Sequence, residues 1–374
     1  MTTTRGAVFR GPHRRLSIEE LRLDAPGPGE VVVRMLASGV CHSDLHVVDG
    51  EWSRPTGLVL GHEGAAEVEA LGPGVSERFP GLEPGALVVL AWTAPCGRCP
   101  ACLRGEGWLC ARPVGSGHRL DPELVRLRTD DGRPVGAYCG IGTFGQRQVV
   151  AAEAAIPVDR RTPPEVAALI GCAVATGVGA ATRTAAVAAG ESVVIIGLGG
   201  VGLSALLGAR LAGASFIVVV DSRPEKLDLA RELGASDGVL ASPGDSQGMP
   251  AGVRLLAPEG GFDHVLECIG LVETVELAVE LVRAGGTVTL VGMTPQGARA
   301  GLDVYRFVDE GKRLLGSNYG SSLPAVVFPE LARLHLEGRL PVERLISGTI
   351  GLEDVEDALE AMRRGDGARR VIVY

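Results

Sequence analysis

Four of the eight cysteines in this 374-residue chain lie within fifteen positions, in the stretch CGRCPACLRGEGWLC. They are Cys96, Cys99, Cys102 and Cys110. Their short spacing lets four thiolates converge on one ion and close its tetrahedral coordination sphere. Zinc and an iron–sulfur cluster both suit such soft ligands, and four reduced thiols without a metal are the remaining alternative. We therefore predict a structural metal site with no position open for a substrate.

A glycine loop forms the second candidate site, in the stretch VVIIGLGGVG. Gly197, Gly199 and Gly202 follow a predicted strand and open a predicted helix, so the backbone can approach a pyrophosphate at the helix N-terminus. Asp221 ends the next predicted strand, where a carboxylate accepts from ribose hydroxyls and repels the additional phosphate of NADP. Arg223, two residues later, could weaken that preference. The pattern predicts a dinucleotide site that favours NAD, against the alternative of a glycine-rich turn that binds nothing.

Three further side chains of metal-ligating type stand far apart in the chain: Cys41, His62 and Cys172. Their spacing alone predicts nothing, because any fold could separate them. Taken singly, each cysteine could be a small buried hydrophobic residue and the histidine a hydrogen-bonded core residue.

The predicted elements that must position these residues fall into two groups. Short β segments between turns occupy residues 31 to 90, whereas strands and helices alternate from about residue 174. Such alternation is typical of a doubly wound parallel sheet. We expect an α/β fold, in which a Rossmann domain at 174–316 is inserted into a mainly β domain made of 1–173 and 317–374.

Composition excludes several classes of function. A net charge of −9 argues against a nucleic-acid partner. The N-terminal stretch MTTTRGAVFRGPHRRL has no apolar core of a signal peptide, and glycines and Arg210 interrupt the longest apolar run. We expect a cytoplasmic protein that binds no membrane.

The chain resembles the zinc-dependent alcohol dehydrogenases of the medium-chain dehydrogenase/reductase superfamily over essentially its whole length. The motifs that carry this resemblance are GVCHSDLH, GHEGAAEVEALGPGV, the four-cysteine lobe, GCAVATGVGAA, GLGGVG and VVVD. The resemblance implies a GroES-like catalytic domain, a structural zinc in the cysteine lobe, and a cleft between the domains that holds a catalytic zinc and the nicotinamide.

The resemblance also assigns the catalytic metal site. It implies that Cys41, His62 and Cys172 bind a zinc whose fourth position is open for the alcohol, which the metal makes more acidic. Asp44 matches the carboxylate that orients the histidine ligand, and Glu63 matches an acid close to the metal.

Proton transfer is assigned in the same way. Ser43 matches the hydroxyl that binds the alcohol, and His46 matches the far end of a proton relay, a task suited to the reference pKa of histidine. In the alternative interpretation His46 is a surface histidine and water takes the proton directly.

Cofactor contacts also follow from the resemblance, with NAD as the cofactor. The matching residues are Thr176, Gly197, Gly199, Gly200, Val201, Gly202, Asp221, Lys226 and Arg369. A shift of one residue in the match would give the role of Arg369 to Arg370.

Three aromatic residues match the pocket where the family varies its specificity: Trp52, Trp92 and Tyr138. Such a pocket suits aromatic or longer-chain primary alcohols. The glutathione-dependent formaldehyde branch of the family normally places an acid where Trp52 stands. The tryptophan therefore argues against glutathione but leaves another thiol, such as mycothiol, open.

The main expectation is an NAD-dependent oxidoreductase with two zinc ions per chain that interconverts hydrophobic primary alcohols and aldehydes. The alternatives are a formaldehyde dehydrogenase dependent on mycothiol or glutathione, a biosynthetic aldehyde reductase, and a non-catalytic nucleotide-binding or structural protein. A homodimer is expected, since relatives that keep the long segment after the metal lobe tend to be dimers, with a homotetramer as the alternative.

Overall fold

The computed structural model of the chain describes residues 2–115, 124–241 and 248–374. Its strands are β1 (Thr2–Phe9), β2 (Ser17–Leu23), β3 (Glu30–Gly39), β4 (Leu58–Val59), β5 (Glu63–Leu71), β6 (Leu87–Leu90), β7 (Leu127–Arg128), β8 (Pro134–Ala137), β9 (Arg147–Ala151), β10 (Ala155–Pro157), β11 (Ser192–Ile196), β12 (Phe216–Asp221), β13 (Asp237–Leu240), β14 (Phe262–Glu267), β15 (Val282–Leu290), β16 (Arg313–Gly316), β17 (Ile346–Ile350) and β18 (Arg369–Val373). Its α-helices are α1 (His42–Val48), α2 (Val75–Arg78), α3 (Pro100–Leu103), α4 (Pro164–Leu169), α5 (Ala175–Gly179), α6 (Gly200–Leu211), α7 (Pro224–Glu232), α8 (Gly248–Leu256), α9 (Val272–Leu281), α10 (Val304–Asp309), α11 (Pro324–Leu336) and α12 (Val355–Arg363).

Two compact units make up the chain. Unit 1 contains Met1–Ala173 and Leu323–Tyr374, and unit 2 contains Val174–Ser322. The sequence pattern predicts the return to the first domain at residue 317, whereas the second segment of unit 1 begins at Leu323.

Hydrogen bonds explain why the segment after β16 belongs to unit 2. The hydroxyl of Thr184 lies 2.9 Å from the hydroxyls of both Ser317 and Ser321. The backbone at Gly320 also passes so close to the preceding helix that a Cβ on Gly179 would lie 2.2 Å from the Gly320 carbonyl oxygen. These contacts attach residues 317–322 to the helical segment that opens unit 2.

Unit 1 is built mainly from antiparallel strands. Among the described residues, β1, β2, β7, β8 and β4 close a barrel, and a sheet runs in the order β10-β6-β5-β3-β18-β17 with β9 also pairing with β3. Alternate residues of β3 are buried, as expected of a strand with one covered face. Gly39, the last residue of β3, pairs with Glu63 of β5 and with Val371 of β18. The end of β3, the start of β5 and the middle of β18 therefore meet at one point.

Unit 2 contains a parallel sheet in the order β13-β12-β11-β14-β15-β16. This is the order of the doubly wound nucleotide-binding fold, with the change of direction between β11 and β14. All five residues of β11 are buried, which is typical of a parallel strand covered on both faces. The predicted fold class, a doubly wound sheet combined with a mainly β domain, is confirmed.

A long apolar helix runs from Pro164 to Thr184 and includes α4, α5 and two π turns. Within the described residues it is the one helix long and apolar enough to cross a bilayer. However, 83% of the most apolar 18-residue stretch of this helix is buried inside the protein, as in the core helix of a globular fold. The first π turn, Ile170–Val174, carries Cys172.

Candidate functional site

Three segments of unit 1 bring metal-ligating side chains into one buried cluster. Cys41 follows β3, His62 precedes β5, and Cys172 lies in the first π turn of the long helix. Together with Glu63 they offer one ligand atom each, and these atoms all lie within 4.8 Å of one another. The cluster forms because β3 and β5 pair in antiparallel register beside the start of the helix. The three ligands that the resemblance implies are thus close together in space.

Asp44 fixes the geometry of this cluster from α1. Its side chain is fully buried, and one carboxylate oxygen lies 3.1 Å from Nδ1 of His62 and accepts from the backbone N–H of Gly61 at 3.2 Å. The other oxygen accepts from the backbone N–H of Cys41 at 3.2 Å. One carboxylate therefore holds both ligand segments and assigns Nδ1 of His62 as the proton-bearing nitrogen. This placement agrees with the role that the resemblance implies for Asp44.

The donor set fits a zinc ion. Nε2 of His62 is buried and has no hydrogen-bond partner among the described residues, although buried polar atoms are almost always paired. A hydrogen bond from Cys172, together with the nearby Arg369 guanidinium and His62, holds the pKa of the Cys41 thiol well below its usual range despite burial. Two thiols, one readily ionised, and one imidazole with a bare nitrogen are the ligands expected of a zinc that keeps a position open.

Arg369 contacts two residues of the metal-ligating cluster directly, a contact not predicted from the sequence. Its Nη2 donates to Sγ of Cys41 at 3.3 Å and lies 3.3 Å from Oε1 of Glu63. Its Nη1 donates to the carbonyl of Val40 at 3.4 Å. Burial raises the pKa of Glu63 to about 8, although the guanidinium of Arg369 opposes the rise. The predicted contact of Arg369 with the cofactor stays a prediction.

The four-cysteine lobe forms a second, separate metal site. Sγ of Cys99 lies 3.5 Å from Sγ of Cys102 and 3.9 Å from Sγ of Cys110, and the four sulfur atoms, including that of Cys96, all lie within 4.8 Å of one another. Sulfur atoms at these distances are not disulfide-bonded. They match the tetrahedron edge of about 3.8 Å that Zn–S bonds of about 2.3 Å produce. The spacing suits one zinc ion rather than a cluster of several iron atoms.

The glycine loop of unit 2 lies at the carboxyl end of β11 and opens α6. Gly197 has a φ of +94°, which favours glycine, and a Cβ on Gly202 would lie 1.7 Å from the carbonyl oxygen of Gly197. The carboxylate of Asp221 accepts from the backbone N–H of Leu198 at 2.7 Å and of Arg223 at 3.0 Å. The tight turn therefore requires these glycines, and Asp221 anchors it at the switch point of the sheet.

The predicted relay residues lie on α1, which follows directly after the metal-ligating residue Cys41. Ser43 is half-buried in the first turn of the helix, and His46 lies one turn later. Nδ1 of His46 is hydrogen-bonded to the carboxylate of Glu51. Glu51 is not among the residues predicted from the sequence, although an acid five residues after a candidate relay histidine is a signal that could have indicated it.

The three predicted pocket aromatics lie in different surroundings. Tyr138 is buried, with its ring edge-on to the ring of His62 at 5.8 Å between centroids. Trp52 belongs to the same hydrophobic cluster as Tyr138 and stacks on His46 at 4.5 Å. Trp92 packs instead against the hydrophobic cluster that contains Val31. The structure thus brings two of the three aromatics to the side chains of the predicted site.

The remaining predicted cofactor residues all lie in unit 2. Thr176 is buried in α5, Val201 is half-buried at the start of α6, and Lys226 lies in α7. Their predicted roles stay predictions.

Asp44→Asn should reduce the zinc content from two ions to one per chain after dialysis against a weak chelator. An amide cannot accept all three hydrogen bonds as a carboxylate does, and loss of such an orienting partner weakens metal binding about 10–100-fold. Metal analysis checks this, with Asp49→Asn, directly after the same helix, as a matched control that should keep both ions. Retention of two ions by Asp44→Asn would show that Asp44 does not hold the ligand geometry.

Comparison with known families covers both parts of the chain. Residues 27–160 match the family described as alcohol dehydrogenase GroES-like domain. Residues 200–336 match the family described as zinc-binding dehydrogenase.

Similar proteins extend the match to the whole chain. S-(hydroxymethyl)glutathione dehydrogenase of Haemophilus influenzae is 34% identical over 99% of this chain and 97% of its own length. The crystal structure of benzyl alcohol dehydrogenase from Acinetobacter calcoaceticus has a TM-score of 0.90 and 30% identity over 100% of this chain and 99% of that one. Acetophenone reductase from Geotrichum candidum, solved in complex with NAD, has a TM-score of 0.78 and 28% identity over 100% and 97% of the two chains. This chain belongs to the zinc-binding alcohol dehydrogenases of the medium-chain dehydrogenase/reductase superfamily.

Proposed function

We propose that this protein transfers a hydride between NAD and a hydrophobic primary alcohol, aromatic or longer-chain, with the aldehyde as the other product. The observation that carries the proposal is the pair of aromatic rings beside the site residues, Tyr138 against His62 and Trp52 against His46. Aromatic walls favour an apolar substrate, and neither ring offers a charge that would bind a charged thiol such as glutathione. Benzyl alcohol dehydrogenase, a structural neighbour, is named for a substrate of this class.

The metal ligands in this proposal are Cys41, His62 and Cys172, and a zinc ion bound there supplies a Lewis acid that makes the alcohol hydroxyl more acidic. Ser43 accepts the hydroxyl proton from the alcohol, and His46 receives it next. Asp44 keeps the proton of His62 on Nδ1, so that Nε2 stays available as a ligand. Arg369 contacts both the Cys41 sulfur and Glu63, and its positive charge offsets the negative charge of the thiolate.

The cofactor in this proposal is NAD, bound at the glycine loop. The carboxylate of Asp221 is held in place by two backbone N–H groups, and its negative charge disfavours the additional phosphate of NADP. The acetophenone reductase neighbour was solved with NAD. Thr176, Val201 and Lys226 are proposed as further contacts, because they match cofactor contacts in the family.

A second candidate function is the oxidation of a hydroxymethyl adduct of a thiol. The curated relatives at 34% identity are named S-(hydroxymethyl)glutathione dehydrogenase, which favours this reading. Such an adduct is also a primary alcohol, so the same metal and relay residues would serve. Trp52, where that branch places an acid, argues against it.

Benzyl alcohol and NAD alone should give reduced nicotinamide, whereas formaldehyde with glutathione or with mycothiol should give a kcat/KM at least tenfold lower. Absorbance at 340 nm measures all three reactions. Cys41→Ala should abolish turnover because it removes a metal ligand, and Cys268→Ala, which changes a thiol outside both cysteine clusters, should retain it. Turnover only with formaldehyde and a thiol would establish the second candidate instead.

Gly202→Ala should weaken NADH binding at least tenfold, because the added Cβ would displace the carbonyl of Gly197 and distort the loop. A fluorescence titration with NADH measures the effect. Gly301→Ala, at an ordinary contact distance of 3.6 Å in the same unit, is the matched control and should bind as the wild type does. Equal affinities for the two variants would contradict the assignment of the loop.

We also propose a homodimer in which β16 pairs with β16 of a second copy. In the described part of the chain β16 is the last strand of its sheet, and all four of its residues are exposed, including Leu314 and Leu315. The neighbouring α10 exposes Tyr305 and Val308, at 81% and 72%. An apolar edge strand is a template for pairing, and a two-fold axis lets the same strand serve both copies.

Leu315→Lys should shift the protein from a dimer toward a monomer, because it places a charge in the proposed contact. Light scattering after gel filtration measures the mass in solution. Leu255→Lys, which replaces an equally apolar and 87% exposed residue of the same unit, should leave the mass unchanged. A wild type with the mass of a single chain would refute the dimer.

A further inference from the structure

His46 is held by three neighbouring side chains. Its Nδ1 is hydrogen-bonded to Oε2 of Glu51, its ring stacks on Trp52 with 4.5 Å between centroids and 23° between planes, and the ring of His42 meets it edge-on at 4.8 Å. The imidazole is therefore fixed in position and in tilt. The atom left for another partner is Nε2.

A tight turn after α1 brings two of these neighbours back to His46. Gly50 has a φ of +75°, which glycine adopts readily, and the backbone N–H of Trp52 donates to the carbonyl of His46 at 3.1 Å. This turn folds Glu51 and Trp52 over the helix end. The backbone of the turn thus places the side chains of Glu51 and Trp52 beside His46.

Side-chain exposure increases from Asp44, beside the metal-ligating residues, to His46 and then to Glu51. The side chain of His46 is 12% exposed and that of Glu51 is 41% exposed, whereas Asp44 is fully buried. Glu51 therefore contacts both the relay histidine and water.

Other charged groups of this segment have different partners. The guanidinium of Arg54 lies over the ring of Trp52, 5.9 Å from its centroid. Asp49, at the end of α1, forms an ion pair with Arg363. The carboxylate that faces His46 is that of Glu51.

We propose that Glu51 is a positioning residue for His46: its carboxylate accepts from Nδ1, leaves Nε2 to receive the alcohol proton, and releases the excess proton to water. The inference rests on the proposed function, in which His46 receives that proton. When a proton arrives at Nε2, the proton on Nδ1 moves to Glu51 and then to water. After the aldehyde leaves, Nδ1 takes a proton back from water through Glu51 while Nε2 gives its proton to water, which restores the starting tautomer. One proton thus leaves per alcohol oxidised, while the hydride goes to NAD and no electrons move along this path. Trp52 restrains the ring during the exchange.

Glu51→Gln should lower kcat/KM for benzyl alcohol about tenfold, within the range of general acid–base effects, and leave KM for NAD unchanged. Glu51→Asp keeps the carboxylate and should retain most of the activity. The double variant of Glu51→Gln with His46→Gln should be no slower than His46→Gln alone, because Glu51 acts through His46. Glu83→Gln, an exposed glutamate of the same unit outside the site, is the matched control.

A spectroscopic readout tests the contact without any turnover. Long-range ¹H–¹⁵N spectra of the neutral imidazole, assigned by loss of the signals in His46→Gln, should show His46 protonated on Nδ1 in the wild type. Glu51→Ala should move the proton to Nε2.

Two results would overturn the inference: an unchanged kcat/KM in Glu51→Gln, or a double variant slower than His46→Gln alone, which a purely structural role of the turn would produce. If the wild type oxidises no alcohol, the proposed function fails, and the spectra alone decide whether Glu51 sets the tautomer. A wild-type His46 protonated on Nε2 would refute the contact in either case.

Discussion

The buried carboxylate of Asp44 is the interaction on which the catalytic metal site depends. A charged group removed from water is costly unless its oxygens are fully hydrogen-bonded, and here three donors from two strand ends satisfy them. Because one donor belongs to the Cys41 segment and two belong to the His62 segment, the same bonds that stabilise the charge set the distance between the ligands. Folding of the β3–β5 connection therefore also places two of the three metal ligands, and the long helix adds the third.

The negative charge of the buried metal-ligating residues is balanced by Arg369. A buried guanidinium is tolerated only beside compensating charge, and Arg369 has the Cys41 sulfur and the Glu63 carboxylate within 3.3 Å. The C-terminal strand β18 thus supplies the positive group that a cluster of thiols and acids requires. In the cysteine lobe Cys96 and Cys102 are partly exposed, so water and an ion held by the four sulfur atoms would share the charge of the thiolates.

The sites that the sequence predicts best are those whose residues lie close together in the chain. The glycine loop and the cysteine lobe are each readable within fifteen residues, because their geometry depends on backbone freedom and short ligand spacing. Cys41, His62 and Cys172 become interpretable only through a resemblance, since sheet register and the packing of the long helix on the sheet bring them together from up to 131 positions apart. The contact between Arg369 and Glu63 cannot be predicted from the local sequence, because it depends on the pairing of β18 with β3.

Aromatic residues show a further limit. The resemblance places Trp52 in a substrate pocket, but it does not reveal that one face of the indole covers His46. Such a contact depends on the turn at Gly50, which returns the chain over α1. Trp92, assigned to the same pocket, packs against the hydrophobic cluster of Val31.

The pairing of Gly39 with Glu63 constrains how this sequence can diverge. A Cβ at position 39 would lie 2.0 Å from Oε2 of Glu63, closer than any non-bonded contact allows. A side chain at position 39 therefore requires the carboxylate of Glu63 to turn away or position 63 to become smaller, and Leu169, whose Cδ2 would lie at 2.9 Å, must also give way. Lineages that retain the glutamate should keep glycine at position 39, and covariation between these positions would trace where the acid beside the metal has been lost.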